Sequence, residues 1–347
     1  MNACATALLT ILVVAVPTSA QAQSFRVDKF SIGGDGGTDY LTAESGTGRV
    51  FVSRSTHVMV FDGPTGKVIG DIPDTPRTHG IGLVAKWNHG FTTNAGDSTV
   101  TMLDLKTLAV IKKIPVPSGG LDGIMYDEAD DRIILTNHSR PIGTATAIDP
   151  NTGDITGVAE LEDNAPEGAA SDGLGKIFVN NEGANTIQVI DVKTMKALAS
   201  WPVAPCEGPT GIVYDRATNR IISGCGKISV VLDGTTGKVV ATIANGDGVD
   251  ALGWDASQRL LYIPAGRDSN VTIVHQDDPD HYTVLATVGT MTGAKTLAVD
   301  PVTHVAYLFQ PQYGPAPVPP PGSPPPMPGG RPPRGPVIGA WFFAISH

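Results

Sequence analysis

The stretch PEGAASDGLGKIFVNNEGANTIQVID, residues 166–191, sets three short strand-like runs apart with glycine- and asparagine-bearing turns and ends on Asp191. Apolar alternation bounded by Gly, Asn and Asp marks such runs as strands and their joints as turns. The same phrase recurs as GGLDGIMYDEADDRIILTN from Gly119, EGPTGIVYDRATNRIISG from Glu207, DGVDALGWDASQRLLYIP from Asp247 and TGAKTLAVDPVTHVAYLF from Thr292. Each copy runs on to a β-rich segment ending in Asp, at Asp62, Asp104, Asp149, Asp191, Asp233 and Asp277. Successive copies lie 42, 45, 42, 42 and 44 residues apart. That period belongs to a four-stranded propeller blade and not to a helical repeat.

Seven first strands can be counted, at TDYLTAE, THGIGLV, LDGIMYD, PEGAASD, PTGIVYD, VDALGWD and AKTLAVD. The expected fold is therefore all-β, a seven-bladed β-propeller of four-stranded antiparallel blades. The last copy has no fourth strand of its own, because the chain stops at GAWFFAISH, whereas FRVDKFSI precedes the first blade with no partner. Building one blade from both termini closes the ring and hides the open sheet edges.

Composition agrees with many short strands. The 347 residues are 41% hydrophobic and 17% charged, with 41 glycines and 28 prolines, enough apolar content for a large core and enough breakers for tight turns. A formal charge of −10 with no basic run argues against nucleic acid as a partner, since a phosphate-binding face needs clustered Lys and Arg.

The segment ATALLTILVVAV is too short to span a bilayer, and AQA at residues 20–22 matches a small-x-small cleavage site. Residues 1–22 are expected to be a secretory signal, leaving a propeller of residues 23–347 with no membrane span, secreted or periplasmic. Two cysteines then remain, Cys206 before the first strand of the fifth repeat and Cys225 after the second. An antiparallel return brings them together, and a disulfide is expected in an oxidising compartment.

The cadence P-x-G, V-x-N, N-T-I-x-V-I-D and T-G-K-V, fullest in residues 166–191, resembles the YVTN or YncE-like secreted seven-bladed propellers across essentially the whole mature chain. The resemblance implies the architecture and a binding or surface-associated role. In this chain the seventh blade is interrupted at residues 312–336 by QYGPAPVPPPGSPPPMPGGRPPRGP. Proline removes amide donors and fixes φ, so this insertion is expected to be an exposed loop rich in polyproline II, with Arg331 and Arg334 as its only charges.

Aligning the seven first strands puts Asp39, His79, Asp122, Glu167, Thr210, Asp250 and Lys295 at one position. First strands of a propeller line its channel, so these residues are expected to ring the channel mouth. The second strands end at the same face with Arg54, Asn94, Asn137 and His138, Asn181 and Glu182, Cys225, Arg267 and Gln310. The candidate ligand-binding set is thus Asp39, Arg54, His79, Asp122, His138, Glu167, Asn181, Glu182, Asp250, Arg267 and Lys295. Four acids in one ring repel unless something positive is present. Lys295 and His79 offset part of that charge, and a bound cation would offset the rest. The Asp clusters around residues 127–131 and 277–280 read instead as turn caps.

No nucleophile elbow, phosphate loop or dinucleotide fingerprint occurs. Two functions follow from the mouth. The first is a binding or scaffolding protein for a small molecule or an extracellular or periplasmic protein. The alternative is a divalent-metal-assisted hydrolase or lyase, with Asp122, Glu167 and Asp250 on the metal, His79 or His138 as general base, and Arg54 or Lys295 steadying an anionic substrate. All-oxygen ligands would suit Ca²⁺ or Mg²⁺.

Overall fold

The computed structural model describes residues 24–318 and 334–347. The expected signal segment and the centre of the Pro-rich insertion, with Arg331, lie outside the described residues.

Seven four-stranded antiparallel sheets form the blades. Blades one to six occupy residues 41–72, 78–115, 121–160, 166–202, 212–244 and 253–289. The seventh uses Leu297–Asp300, Val305–Tyr313 and Val337–Ser346, and its outermost strand is Arg26–Ile32 from the start of the described chain. That strand pairs in register from Arg26 opposite Ser346 to Ile32 opposite Ala340, so the ring is closed by both ends as expected. Among the described residues the helical content is one 3₁₀ turn, Ala85–Trp87, and no helix is long and apolar enough to cross a membrane.

The repeated Asp is explained at four of its six positions by the turn that follows it. Asp104, Asp149, Asp191 and Asp233 each accept a backbone N–H from the residue three positions on, at 2.7–3.0 Å. In blade six the third strand runs longer, Asn270–Asp278, and the residue doing this is Asp278, one position after the Asp277 expected from the repeat. Valine, isoleucine and phenylalanine on the middle strands then pack between blades, as Phe61 does against Phe309 and Phe342 of blade seven.

Cys206 and Cys225 form a disulfide with Cα atoms 5.8 Å apart. Both are buried in the apolar cluster between blades four and five. The strand Val305–Tyr313 runs two residues into the Pro-rich segment, pairing Gln312 with Gly339 and Tyr313 with Val337. The base of the insertion is tied by Gly314 N–H donating to Pro336 O at 2.8 Å.

Candidate functional site at the channel mouth

The ring position is built differently around the circle. In blades two, three and four it lies inside the inner strand, and there the pairing register slips, between Thr78 and Ile81, Leu121 and Ile124, and Pro166 and Ala169. Each slip spans the ring residue and the glycine after it, at His79-Gly80, Asp122-Gly123 and Glu167-Gly168. A bulge re-aims the side chain it carries. In blades one, five, six and seven the regular inner strand starts only after the ring residue, at Leu41, Ile212, Gly253 and Leu297. The inner backbones converge here and bond the next blade as well as their own: Tyr40 N–H donates to His79 O at 2.9 Å, Gly168 N–H to Thr210 O at 3.0 Å, and Ala251 N–H to Lys295 O at 3.3 Å. Close approach requires the small following residue. A Cβ on Gly123 would stand 2.6 Å from Thr136 Oγ1 and 3.2 Å from Glu167 O.

Polar side chains on the second strands pin these inner backbones. Thr93 Oγ1 donates to Asp122 O at 2.7 Å and accepts from Gly80 N–H at 2.9 Å. Asn180 Nδ2 donates to the carbonyls of Thr210 and Gly211, both at 3.0 Å. The repeat Ser53, Thr93, Thr136, Asn180, Ser223 was visible in the sequence as a polar residue near the end of the second strand in five of the seven blades.

Around the mouth the side chains form an arc in which acids and bases alternate. Lys295 Nζ is hydrogen-bonded to Asp250 Oδ2 and lies 3.5 Å from Asp39 Oδ1. His79 Nδ1 hydrogen-bonds Asp39 Oδ2 at 2.7 Å and lies 3.2 Å from Asp122 Oδ1. His138 Nε2 is 3.1 Å from Asp122 Oδ2 and 3.6 Å from Glu167 Oε1. Tyr40 Oη donates to Glu167 Oε2 at 3.3 Å. These groups, with Ala165 and Glu182, line a cup of about 340 Å³. A cavity of about 170 Å³, lined in part by Leu41, Ile81, Ile124, Ile212 and Leu252, shares Tyr40 and Asp250 with it.

Burial and charge set the protonation states. Burial, with the nearby charges of Asp122 and Asp250, pushes Glu167 up to about 9. Burial also raises Asp250, to about 6, although Lys295 works against it. For His79 burial would lower the pKa, but contact with Asp122 and Asp39 outweighs it and lifts it to about 10. Asp39 is pushed up by burial and down further by His79 and Lys295, so it ends below its ordinary value. Near neutral pH the mouth thus holds an imidazolium at His79 and a protonated carboxyl at Glu167.

Eight of the expected residues therefore come together: Asp39, His79, Asp122, His138, Glu167, Glu182, Asp250 and Lys295. Three lie elsewhere. Arg54 is fully buried, donating to Gly36 O and Gly37 O beneath the crossover and stacking 4.6 Å over the Phe309 ring. Asn181 is buried within its own blade, bonded to Glu162, Thr186 and Gln188. Arg267 pairs with Asp247 at 3.2 Å and lies outside the cup on an adjoining recess of about 510 Å³ that shares Glu182, Asp250 and Lys295 with it. A second strand has two faces, and a residue at its end reaches the channel only when it is on the inward one. Tyr40 was not foreseen. Its signal was there: at the position after the ring residue the other six copies carry Gly80, Gly123, Gly168, Gly211, Ala251 and Thr296, and only the first carries an aromatic.

No family model and no curated protein matches the chain. Solved structures do resemble it. Kuenenia stuttgartiensis hydrazine synthase is 16% identical with a TM-score of 0.68 over 79% of this chain and 92% of that one. A chain of the mitotic checkpoint complex is 16% identical with a TM-score of 0.70, covering 89% and 96%. The WD40 repeats of RRP9 are 8% identical with a TM-score of 0.72, covering 81% and 89%. At these identities the likeness shows the seven-bladed fold, which hosts many chemistries, and function must be argued from the site.

Proposed function

We propose that this chain is an exported propeller of the YVTN or YncE-like kind that binds a positively charged ligand group at the mouth of its channel. The observation that carries the reading is the convergence of Asp39, Asp122, Glu167, Glu182 and Asp250 on one open cup. Charged groups held this far out of water are expensive for a fold that needs only a wet rim, and such clusters mark binding sites. Export is supported by the leader-like start of the sequence and by the Cys206–Cys225 disulfide, which suits an oxidising compartment. The repeat cadence supports the family reading.

The test is calorimetry and thermal melting of the mature protein with inorganic cations and with small alkylammonium ions. Stabilisation by at least one class, lost in the double variant Asp122→Asn with Glu167→Gln, is expected from mass action. No response to either class would overturn the reading.

A second reading, hydrolase or lyase, is favoured by His138, whose imidazole lies between two carboxylates and is about one-third exposed to the cup. In that reading it is a general base. Turnover of an ester, phosphoester or eliminable substrate, lost in His138→Gln, would support it.

A further inference from the structure

We propose that the positively charged group taken at the mouth is a divalent transition-metal ion, coordinated by Asp122, His138 and Glu167. This rests on the reading of the mouth as a site for positive charge and specifies which charge it is.

Donors and acceptors are out of balance around His138. His138 Nε2 faces three oxygens at once: Pro166 O at 2.8 Å, Asp122 Oδ2 at 3.1 Å and Glu167 Oε1 at 3.6 Å. One imidazole nitrogen carries at most one proton and satisfies one acceptor well. Glu167 is only 8% exposed, and its Oε1 accepts no hydrogen bond, since the Tyr40 hydroxyl goes to Oε2. Asp122 Oδ1 is buried and turned to His79 Nδ1 at 3.2 Å, which leaves Oδ2 as the oxygen facing His138. Acceptors crowded around a single donor are costly, and a cation between Asp122 Oδ2, Glu167 Oε1 and His138 Nε2 answers them together.

The donor atoms of Asp122, His138 and Glu167 lie within 4.8 Å of one another, a span that bonds of about 2.0–2.2 Å close with small side-chain movements. With Glu167 giving up its proton as the ion enters, the two carboxylates match a charge of +2. One imidazole nitrogen in the set favours manganese, iron, cobalt or zinc over calcium and magnesium, which prefer oxygen alone. The side toward the cup stays open for water or a ligand.

A second group, Asp39, His79 and Asp122, is equally compact. Its centre already has an internal donor, because His79 Nδ1 hydrogen-bonds Asp39 Oδ2 at 2.7 Å. Asp250, expected as a ligand from the sequence, is engaged by Lys295 and belongs to neither group. The set thus exchanges Asp250 for His138, and that exchange changes the class of metal.

The test uses the tag-free mature chain after chelator treatment, titrated separately with Zn²⁺, Mn²⁺, Ca²⁺, Mg²⁺ and trimethylammonium by calorimetry and thermal melting. One Zn²⁺ or Mn²⁺ per chain should bind and raise the melting temperature. His138→Gln and Glu167→Gln should each weaken it by at least about tenfold, the loss that follows removal of even an outer partner of a ligand. Asp250→Asn should retain it. Circular dichroism of each variant separates lost binding from lost fold. Zn²⁺ or Mn²⁺ bound equally by the folded variants would place the ion elsewhere and overturn the proposal. Silence toward these two metals with binding of trimethylammonium, Ca²⁺ or Mg²⁺ would overturn it while leaving the broader reading standing. Silence toward every probe would overturn both.

Discussion

Tyr40 Oη meets Glu167 Oε2 at 3.3 Å, although 127 residues separate them in the chain. The first blade thereby reaches the fourth through the channel, and the contact couples the floor of the cup to its acid. Tyr40→Phe should lower stability by about 0.5–1.5 kcal/mol, the usual net loss of one hydrogen bond. Denaturant unfolding at pH 7 measures it. An unchanged midpoint would mean the phenol is satisfied by water.

The mouth makes stability fall as pH rises. A carboxyl raised in the fold binds a proton that the unfolded chain has lost, so Glu167, moved from 4.5 to about 9, weakens the fold progressively across that interval. Asp250 adds the same sign between 3.8 and about 6. His79, raised from 6.5 to about 10, contributes stability that is complete below 6.5 and lost as pH climbs through 10. Asp39 acts oppositely, since its lowered pKa is a stability lost only in acid below 3.8. The melting temperature should peak in mildly acidic buffer and decline toward pH 9. Glu167→Gln should flatten the decline, and a parallel slope in that variant would remove Glu167 as its source.

Gly123→Ala should destabilise the fold at the mouth itself. The new Cβ would lie 2.6 Å from Thr136 Oγ1 and close to the Glu167 carbonyl, and overpacking of this kind costs about 1–3 kcal/mol. The fluorescence or circular-dichroism melt reports it directly.

The disulfide closes a loop with a sequence separation of 19. Replacing both cysteines by serine should cost about 2–4 kcal/mol through greater freedom of the unfolded chain. Reduction of the parent should lower its melting point to that of the variant.

Deleting residues 24–33 removes the strand that pairs along Val337–Ser346. It also uncovers Phe342 and Phe343 in the core clusters beside it. The truncated chain should lose its single cooperative melt and associate through the open edge. A melt indistinguishable from that of the parent would mean closure adds little.

The repeat period and its seven first strands were sufficient to count blades, the missing fourth strand assigned FRVDKFSI to the last one, and the hairpin flanked by Cys206 and Cys225 paired them, because a repeat writes local strand and turn chemistry into the chain once per blade. It also located the ring residues, since one alignment column maps to one layer around the axis. Which way each second-strand side chain points was not written there. Arg54 and Asn181 at the ends of their second strands are buried away from the cup, whereas His138 and Glu182, one position further along in their own blades, line it, because successive residues of a strand face opposite sides. Nor could a column of residues say who partners whom. Lys295 falls to Asp250, His79 to Asp39, and Glu167 to Tyr40 from the other side of the channel. Those choices depend on distances between blades that are far apart in sequence, so the alphabet of the mouth was legible in the chain and its pairing was decided by the closed ring.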